Sequence, residues 1–198
     1  MKPSVITISR QYGSGGRHVG ALLAEQLGIP FYDKALFAEA AQRSGIHESH
    51  FEEAEQHNHD QFFAHIFDGV STPLSMPLND RIFLAQVQTI RELAEKGPCI
   101  LVGRGANRIL KDRKDVLNVY IYADQALRIR RAVEEYGVDP ARAERVVRDT
   151  DKDRAVYLKT YTDQQFGNAE NYHLCIDSGA VGIENTAKII LATYRTIQ

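Results

Sequence analysis

The sequence has no tryptophan, and only two cysteines and two methionines among 198 residues. The two cysteines, Cys99 and Cys175, form no CxxC pair, which excludes a disulfide-dense secreted scaffold and a thiolate metal centre. Each lies in an apolar run that predicts a strand, so both are expected as reduced core residues of a cytoplasmic protein. Long apolar runs are lacking too. None approaches the roughly 20 residues of a bilayer span, and the first, Val5 to Ile8, is too short for a signal-peptide core. An excess of charge of one sign is also absent: 24 Lys and Arg stand against 26 Asp and Glu, a formal net charge of -2. No strong field therefore points to a nucleic acid polymer or a membrane as partner. A nucleotide or another small anionic molecule needs only a local basic pocket. Oligomeric state has no signature here.

What is present is an ordinary globular composition, 43% hydrophobic and 25% charged, at a length that suits one domain over 1–198. Short β-branched runs alternate with longer helical patterns. Strands are predicted at Val5–Ser9, Ile29–Tyr32, Cys99–Val102, Val116–Tyr122 and His173–Ile176. Helical spacing runs over Val19–Leu27, with Gly28 as C-terminal cap, and over Lys34–Arg43 after Asp33, a suitable N-cap. It recurs from Asn79 or Asp80 to Gly97-Pro98, with the stripe Ile82, Phe83, Val87, Ile90 as core packing. Further helices are expected from Asp124 to Tyr136, about Ala141 to Thr162, and Ile183 to Ile197. The pattern predicts an α/β fold, a five-stranded parallel sheet with helices on both faces.

Between 45 and 80 the pattern loosens into an inserted flap that holds five of the seven histidines (His47, His50, His57, His59, His65). His47-Glu48-Ser49-His50 lacks the spacing of H-E-x-x-H, so a polar flap is expected there rather than a metal site. No metal ligands are identifiable elsewhere. On the helix after Asp124, Arg128, Arg130 and Arg131 cannot all point inward, and most are expected to face solvent.

The informative element is the turn after the first strand. Gly13, Ser14, Gly15, Gly16, Arg17 and His18 join a strand to a helix opening, the arrangement in which inward N–H groups and a helix N-terminus bind phosphate. The full pattern G-x-x-x-x-G-K-[ST] is not met. In one register Gly16 stands at the lysine and His18 near the hydroxyl. In the other Arg17 replaces the lysine, His18 the Ser/Thr and Gln11 the first glycine. The second keeps a cation facing the phosphates; Arg10, at the start of the loop, is its rival. Neither supplies the hydroxyl that helps hold magnesium. Asp33, Arg104 and Arg108 follow the second and third strands, on the edge where α/β sheets bind ligands.

The segments Ile8-Ser9-Arg10-Gln11-Tyr12-Gly13-Ser14-Gly15-Gly16-Arg17, Leu23 to Asp33, Glu92 to Ala106, the helix around Arg148-Asp149 and Arg154, and Ile176-Asp177-Ser178 together resemble the cytidylate kinase-like family of P-loop proteins. That resemblance implies ATP-dependent phosphoryl transfer to a small phosphorylated acceptor such as CMP, with magnesium. It implies that Asp33 lies at the acceptor sugar, Arg104 at the acceptor nucleotide, and Asp177 and Ser178 near the adenine. It also implies a closing lid over about 138–165 carrying Arg148 and Arg154. Arg17, Arg148 and Arg154 are then the catalytic cations, because phosphoryl transfer needs alignment and distributed positive charge rather than a protein nucleophile. Ala38 and Glu39 stand where the family has an acceptor-side arginine. A non-catalytic nucleotide-binding domain and a kinase of a non-nucleotide metabolite are the alternatives.

Overall fold

The computed structural model describes residues 4–33 and 77–197. The chain divides into two units, Met1–Asp33 with Leu93–Gln198, and Lys34–Glu92. In the second unit the described residues form most of one helix, α2 (Leu78–Lys96), which continues into the first. Ile82, Gln86, Thr89 and Ile90 are its buried residues in that unit, so the apolar stripe includes two polar members. The expected helix Lys34–Arg43 and the expected flap up to residue 76 lie outside the described residues; the last residues given to the flap, Leu78 to Asp80, belong instead to α2, which starts one or two residues before the expected cap at Asn79 or Asp80.

The first unit is a five-stranded parallel sheet of order β2-β3-β1-β4-β5. Its strands are β1 (Val5–Arg10), β2 (Phe31–Tyr32), β3 (Cys99–Val102), β4 (Val116–Tyr122) and β5 (Leu174–Asp177). Val5 to Ile8 pair with Cys99 to Val102 on one side, and Val5 to Arg10 with Val116 to Ile121 on the other. A strand covered on both faces reads as a continuous apolar run rather than an alternating one. Val5, Ile6 and Ile8 are fully buried, and the intervening Thr7 donates its hydroxyl to Asn118 Oδ1 at 2.7 Å.

The helices are α1 (Gly16–Leu27), α3 (Ala106–Ile109), α4 (Gln125–Glu134), α5 (Pro140–Thr162), α6 (Ser178–Val181) and α7 (Ile183–Thr196). Local chemistry sets their ends. Asp124 and Asp139 accept the N–H groups of Ala126 and Ala141, and Gly28 takes the left-handed conformation that closes α1. Pro140 opens α5, where its missing N–H costs nothing. Leu23, Ile190 and the inner residues of β1, β3 and β4 form the main core.

The chain leaves β1 toward β2 and β3 on one side and returns to β4 on the other. The turn after β1 therefore lies at the topological switch point, where open α/β sheets form a ligand crevice.

Candidate functional site

The turn from Gln11 to Gly15 follows β1 directly and carries two left-handed glycines, Gly13 (φ 76°) and Gly15 (φ 77°). Gly15 is also the N-cap of α1, with no side-chain cap, so the first N–H groups of that helix have no intrahelical acceptor. Such N–H groups at a helix start are what an oligophosphate binds. Gly16 could not be larger, since a Cβ there would lie 2.7 Å from Arg10 Cβ.

The loop is anchored from below by hydroxyls. Ser14, fully buried, donates to the carbonyls of Gln11 (2.9 Å) and Ile121 (3.1 Å). Ser178, fully buried as well, reaches the carbonyls of Ser14 (2.6 Å) and Tyr122 (3.1 Å). In this conformation the Ser178 side chain shapes the loop from underneath and offers nothing to a base. Asp177 caps α6 by accepting from Gly179 and Ala180.

From the outer side, arginines of α4 and α5 grip the loop. Arg128 Nη1 donates to the Tyr12 carbonyl (3.2 Å) and pairs with Asp151 (2.6 Å), and its Nε donates to the Ala123 carbonyl. Arg131 Nη1 donates to the Gly13 carbonyl at 3.3 Å. Arg154 Nη1 donates to the Arg10 carbonyl at 3.1 Å, and its guanidinium lies over the Tyr12 ring. Asp151 accepts the Tyr12 backbone N–H at 2.7 Å. Burial pushes the Asp151 carboxyl up, opposed by the Tyr12 N–H, Arg154 and Arg128. Two of the three α4 arginines thus face inward, where sequence periodicity predicted mostly solvent exposure; only Arg130 is exposed.

Asp33 follows β2, and its carboxylate receives Arg17 Nε at 2.9 Å and Arg10 Nη2 at 3.5 Å. Arg17 is 68% exposed while Asp33 is 12% exposed. Arg10 lies close along Gly103, whose hypothetical Cβ would sit 2.2 Å from Arg10 Nη1. Gly103, Arg104 and Gly105 all take left-handed backbone (φ 83°, 58° and 66°). Arg104 does so against the preference of a residue with a Cβ, a type of strain that concentrates at functional sites. Its guanidinium lies over the Tyr157 ring of α5. Burial raises the Tyr157 hydroxyl to about 12 although Arg104 lowers it, so the phenol stays neutral there. Arg108 Nε donates to the Thr162 carbonyl at 3.4 Å, at the far end of the same helix.

Of the residues expected from sequence, the structure gathers Gly13 to Arg17, Asp33, Arg154 and Ser178 at the loop. It leaves His18 exposed on the first turn of α1. Arg148 is 65% exposed and paired with its neighbour Asp149 at 3.1 Å, not gathered at the loop. The residues that sequence reasoning missed are Asp151, Arg128 and Arg131. Their signal was spacing: 128 and 131, like 151 and 154, lie one turn apart on a single helix face. The residues beside the loop fit phosphate. They do not offer magnesium the usual hydroxyl, because Ser14 donates to two carbonyls and His18 stands where Ser or Thr is expected. Among the described residues, no cluster of His, Cys, Asp and Glu could hold a metal ion. Cys99 and Cys175 are free, Cys99 buried with its thiol raised to about 11 and Cys175 only half-buried. Among the described residues no helix is long and apolar enough to cross a membrane.

A parallel sheet with a glycine loop between its central strand and a helix, ringed by arginines, is the architecture of the P-loop kinase fold. More narrowly, the chain belongs to the cytidylate kinase-like family, which residues 5–180 match. Among solved structures, an uncharacterized protein from Eubacterium ventriosum is similar at 27% identity and a TM-score of 0.74, covering 98% of this chain and 99% of that one. A shikimate kinase from Acinetobacter baumannii, in complex with shikimate, is similar at 17% identity and a TM-score of 0.54 over 99% and 96% of the two chains. A gluconokinase from Sinorhizobium meliloti is similar at 15% and 0.54 over 98% and 92%. The last two share the fold. No curated protein matches significantly.

Proposed function

We propose that the protein transfers the γ-phosphoryl group of ATP to a small phosphorylated acceptor, with a nucleoside monophosphate such as CMP the leading choice. The observation that carries this is the glycine loop, held in shape from both sides and opening onto arginines that follow three different strands or helices. The ATP phosphates lie on the N–H groups from Gly13 to His18. Arg17 and Arg154 supply positive charge to the moving phosphoryl group, and Arg148 joins them on the lid helix α5. Asp33 and Arg104 serve the acceptor, a carboxylate for sugar hydroxyls and a guanidinium for phosphate, with Arg108 behind them. Asp177 caps α6 beside Ser178, which supports the loop of the donor site from beneath. Magnesium, when bound with ATP, neutralises phosphate charge; the chain's own contribution is arginine, in place of the lysine of the full motif.

The Asp33–Arg17 pair has a direct consequence. An acceptor hydroxyl that binds Asp33 competes with Arg17 and frees that cation for the phosphates.

The test is ADP release across CMP, UMP, AMP and GMP, with shikimate and gluconate as non-nucleotide acceptors, each with and without magnesium. Acceptor-dependent ADP release with CMP supports the proposal. Release only with a hydroxy acid gives the metabolite-kinase alternative, and no release with any acceptor despite ATP binding gives the non-catalytic one. Arg17→Ala should lower turnover by about 10²-fold, the scale of one lost electrostatic stabiliser. A wild-type rate in Arg17→Ala together with a loss in Arg10→Ala would instead assign the cation to Arg10.

A further inference from the structure

Three of the four residues from Arg10, the end of β1, to Gly13 are held by side chains from α4 and α5. Arg154 binds the carbonyl of Arg10, Arg128 that of Tyr12 and Arg131 that of Gly13. Gln11 turns its own side chain inward to accept the Ala123 N–H at 3.2 Å. The only backbone donor in this stretch taken by a charged side chain is the Tyr12 N–H, and its acceptor is Asp151 Oδ1.

Asp151 has a second task. Its Oδ2 receives Arg128 Nη1 at 2.6 Å, and Arg154 Nη1 lies 3.5 Å from its Oδ1. One carboxylate therefore touches the loop directly and also orients two of the three arginines that grip the loop's carbonyls. It is 15% exposed, and Arg128 10%. Charge-assisted hydrogen bonds between groups so far removed from water are short and directional.

We propose that Asp151 is a positioning residue for the ATP site, fixing from the lid helix α5 the Arg10–Gly13 backbone that leads into the phosphate-binding turn. The inference rests on the proposed function for its kinetic readout but not for its structural one. Asp151 contacts no part of the path of the phosphoryl group; it acts through Tyr12, Arg128 and Arg154. A glycine loop without the usual lysine depends on its N–H groups for most of its hold on phosphate, so their prior alignment counts for more. The same carboxylate ties the middle of α5 to the loop.

The experiment uses the full chain with two substitutions, Asp151→Asn and Asp151→Glu. Asp151→Asn removes the charge facing Arg128 and Arg154; Asp151→Glu keeps it but displaces the carboxylate by about one methylene, roughly 1.5 Å. Amide hydrogen exchange is followed at Tyr12 and at core residues of β1 and β4. The KM for ATP and the KM for the acceptor are measured separately. In both variants, exchange at Tyr12 is expected to rise at least 10-fold over the core amides. The KM for ATP is expected to rise at least 10-fold, with the acceptor KM at saturating ATP within about 2-fold of wild type. A rise in acceptor KM alone would place Asp151 in the acceptor site and overturn the proposal. Wild-type ATP KM and wild-type Tyr12 exchange in Asp151→Glu would overturn it too, since charge without position would then suffice. Should Asp151→Asn fail to fold, Asp151→Glu alone decides. Should the protein release no ADP with any acceptor, the proposed function fails, while the Tyr12 exchange and ATP binding by calorimetry still decide the role of Asp151.

Discussion

Gly13 and Gly28 have similar backbone and different surroundings, which separates two costs of adding a methyl group. Both are left-handed, at φ 76° and φ 63°. A Cβ on Gly28 would meet nothing within 4 Å, whereas one on Gly13 would lie 2.6 Å from the Arg128 carbonyl oxygen and 2.9 Å from its Cα. These are backbone atoms and cannot rotate aside. Gly28→Ala should lose about 1 kcal/mol, the left-handed cost alone. Gly13→Ala should lose about 2–4 kcal/mol, with overpacking added. Urea unfolding of the two variants checks the difference, and equal losses would contradict the packing argument. At the edge of the sheet, Asp115 takes a bidentate Arg113 pair (3.0 and 2.7 Å) and the Ser4 hydroxyl, which hold its carboxyl below the usual carboxylate range. A depressed folded-state value stabilises the protein above the unfolded value, about 3.9, and the contribution is lost as pH falls through the folded one. Asp115→Asn should therefore cost about 1 kcal/mol at pH 7, and the gap from wild type should close below about pH 4. A gap that persists in acid would mean the loss is one of packing.

At the scale of elements, the strands and caps were legible and the destinations of polar side chains were not. The boundaries Cys99–Val102 and Val116–Tyr122 were readable because Gly97-Pro98 and Gly103 bracket one run and Asp124 follows the other. Asp124, Asp139 and Gly28 cap by local chemistry, which a sequence displays directly. The strand β2 is shorter than its apolar run, although the Pro30 carbonyl just before it still accepts the Ile100 N–H of β3 at 2.9 Å. β5 is an edge strand, which is why Cys175 is only half-buried although its run reads as core. Arg128 and Arg131 were misread because periodicity assigns charge to solvent, and it cannot see that loop carbonyls stand opposite one face of α4. Ser178 opens α6 with its hydroxyl turned down to Ser14, joining β5, β4 and the loop at one point. Ser178→Ala leaves two carbonyls without that donor, and the expected loss is about 1–3 kcal/mol. The urea midpoint should fall with an unchanged slope, and the KM for ATP should rise while the acceptor KM holds. An unchanged midpoint would show that water replaces the hydroxyl without cost.

For the whole molecule, every residue placed in the candidate site belongs to the unit formed by Met1–Asp33 and Leu93–Gln198. The loop, its supports from α4, α5 and α6, and the arginines beside it are all parts of that one cooperative core, so nucleotide binding should stabilise the core as a body. A ligand that binds only the folded state contributes RT ln(1 + [L]/Kd), about 2.7 kcal/mol at a hundredfold excess over Kd. For a chain of this length each kcal/mol raises the melting temperature by roughly 2–4 °C, so saturating Mg-ATP should raise it by about 5–10 °C. Gly13→Ala pushes the loop off the Arg128 backbone and out of its phosphate-binding shape, and should abolish most of that shift even after correction for its own lower starting temperature. Gly28→Ala, at the opposite end of α1, should keep the full shift. Calorimetric scans of the three proteins with and without millimolar Mg-ATP make the comparison. A shift retained in Gly13→Ala would move the nucleotide to another part of the sheet edge, and no shift in the wild type would remove the donor site altogether.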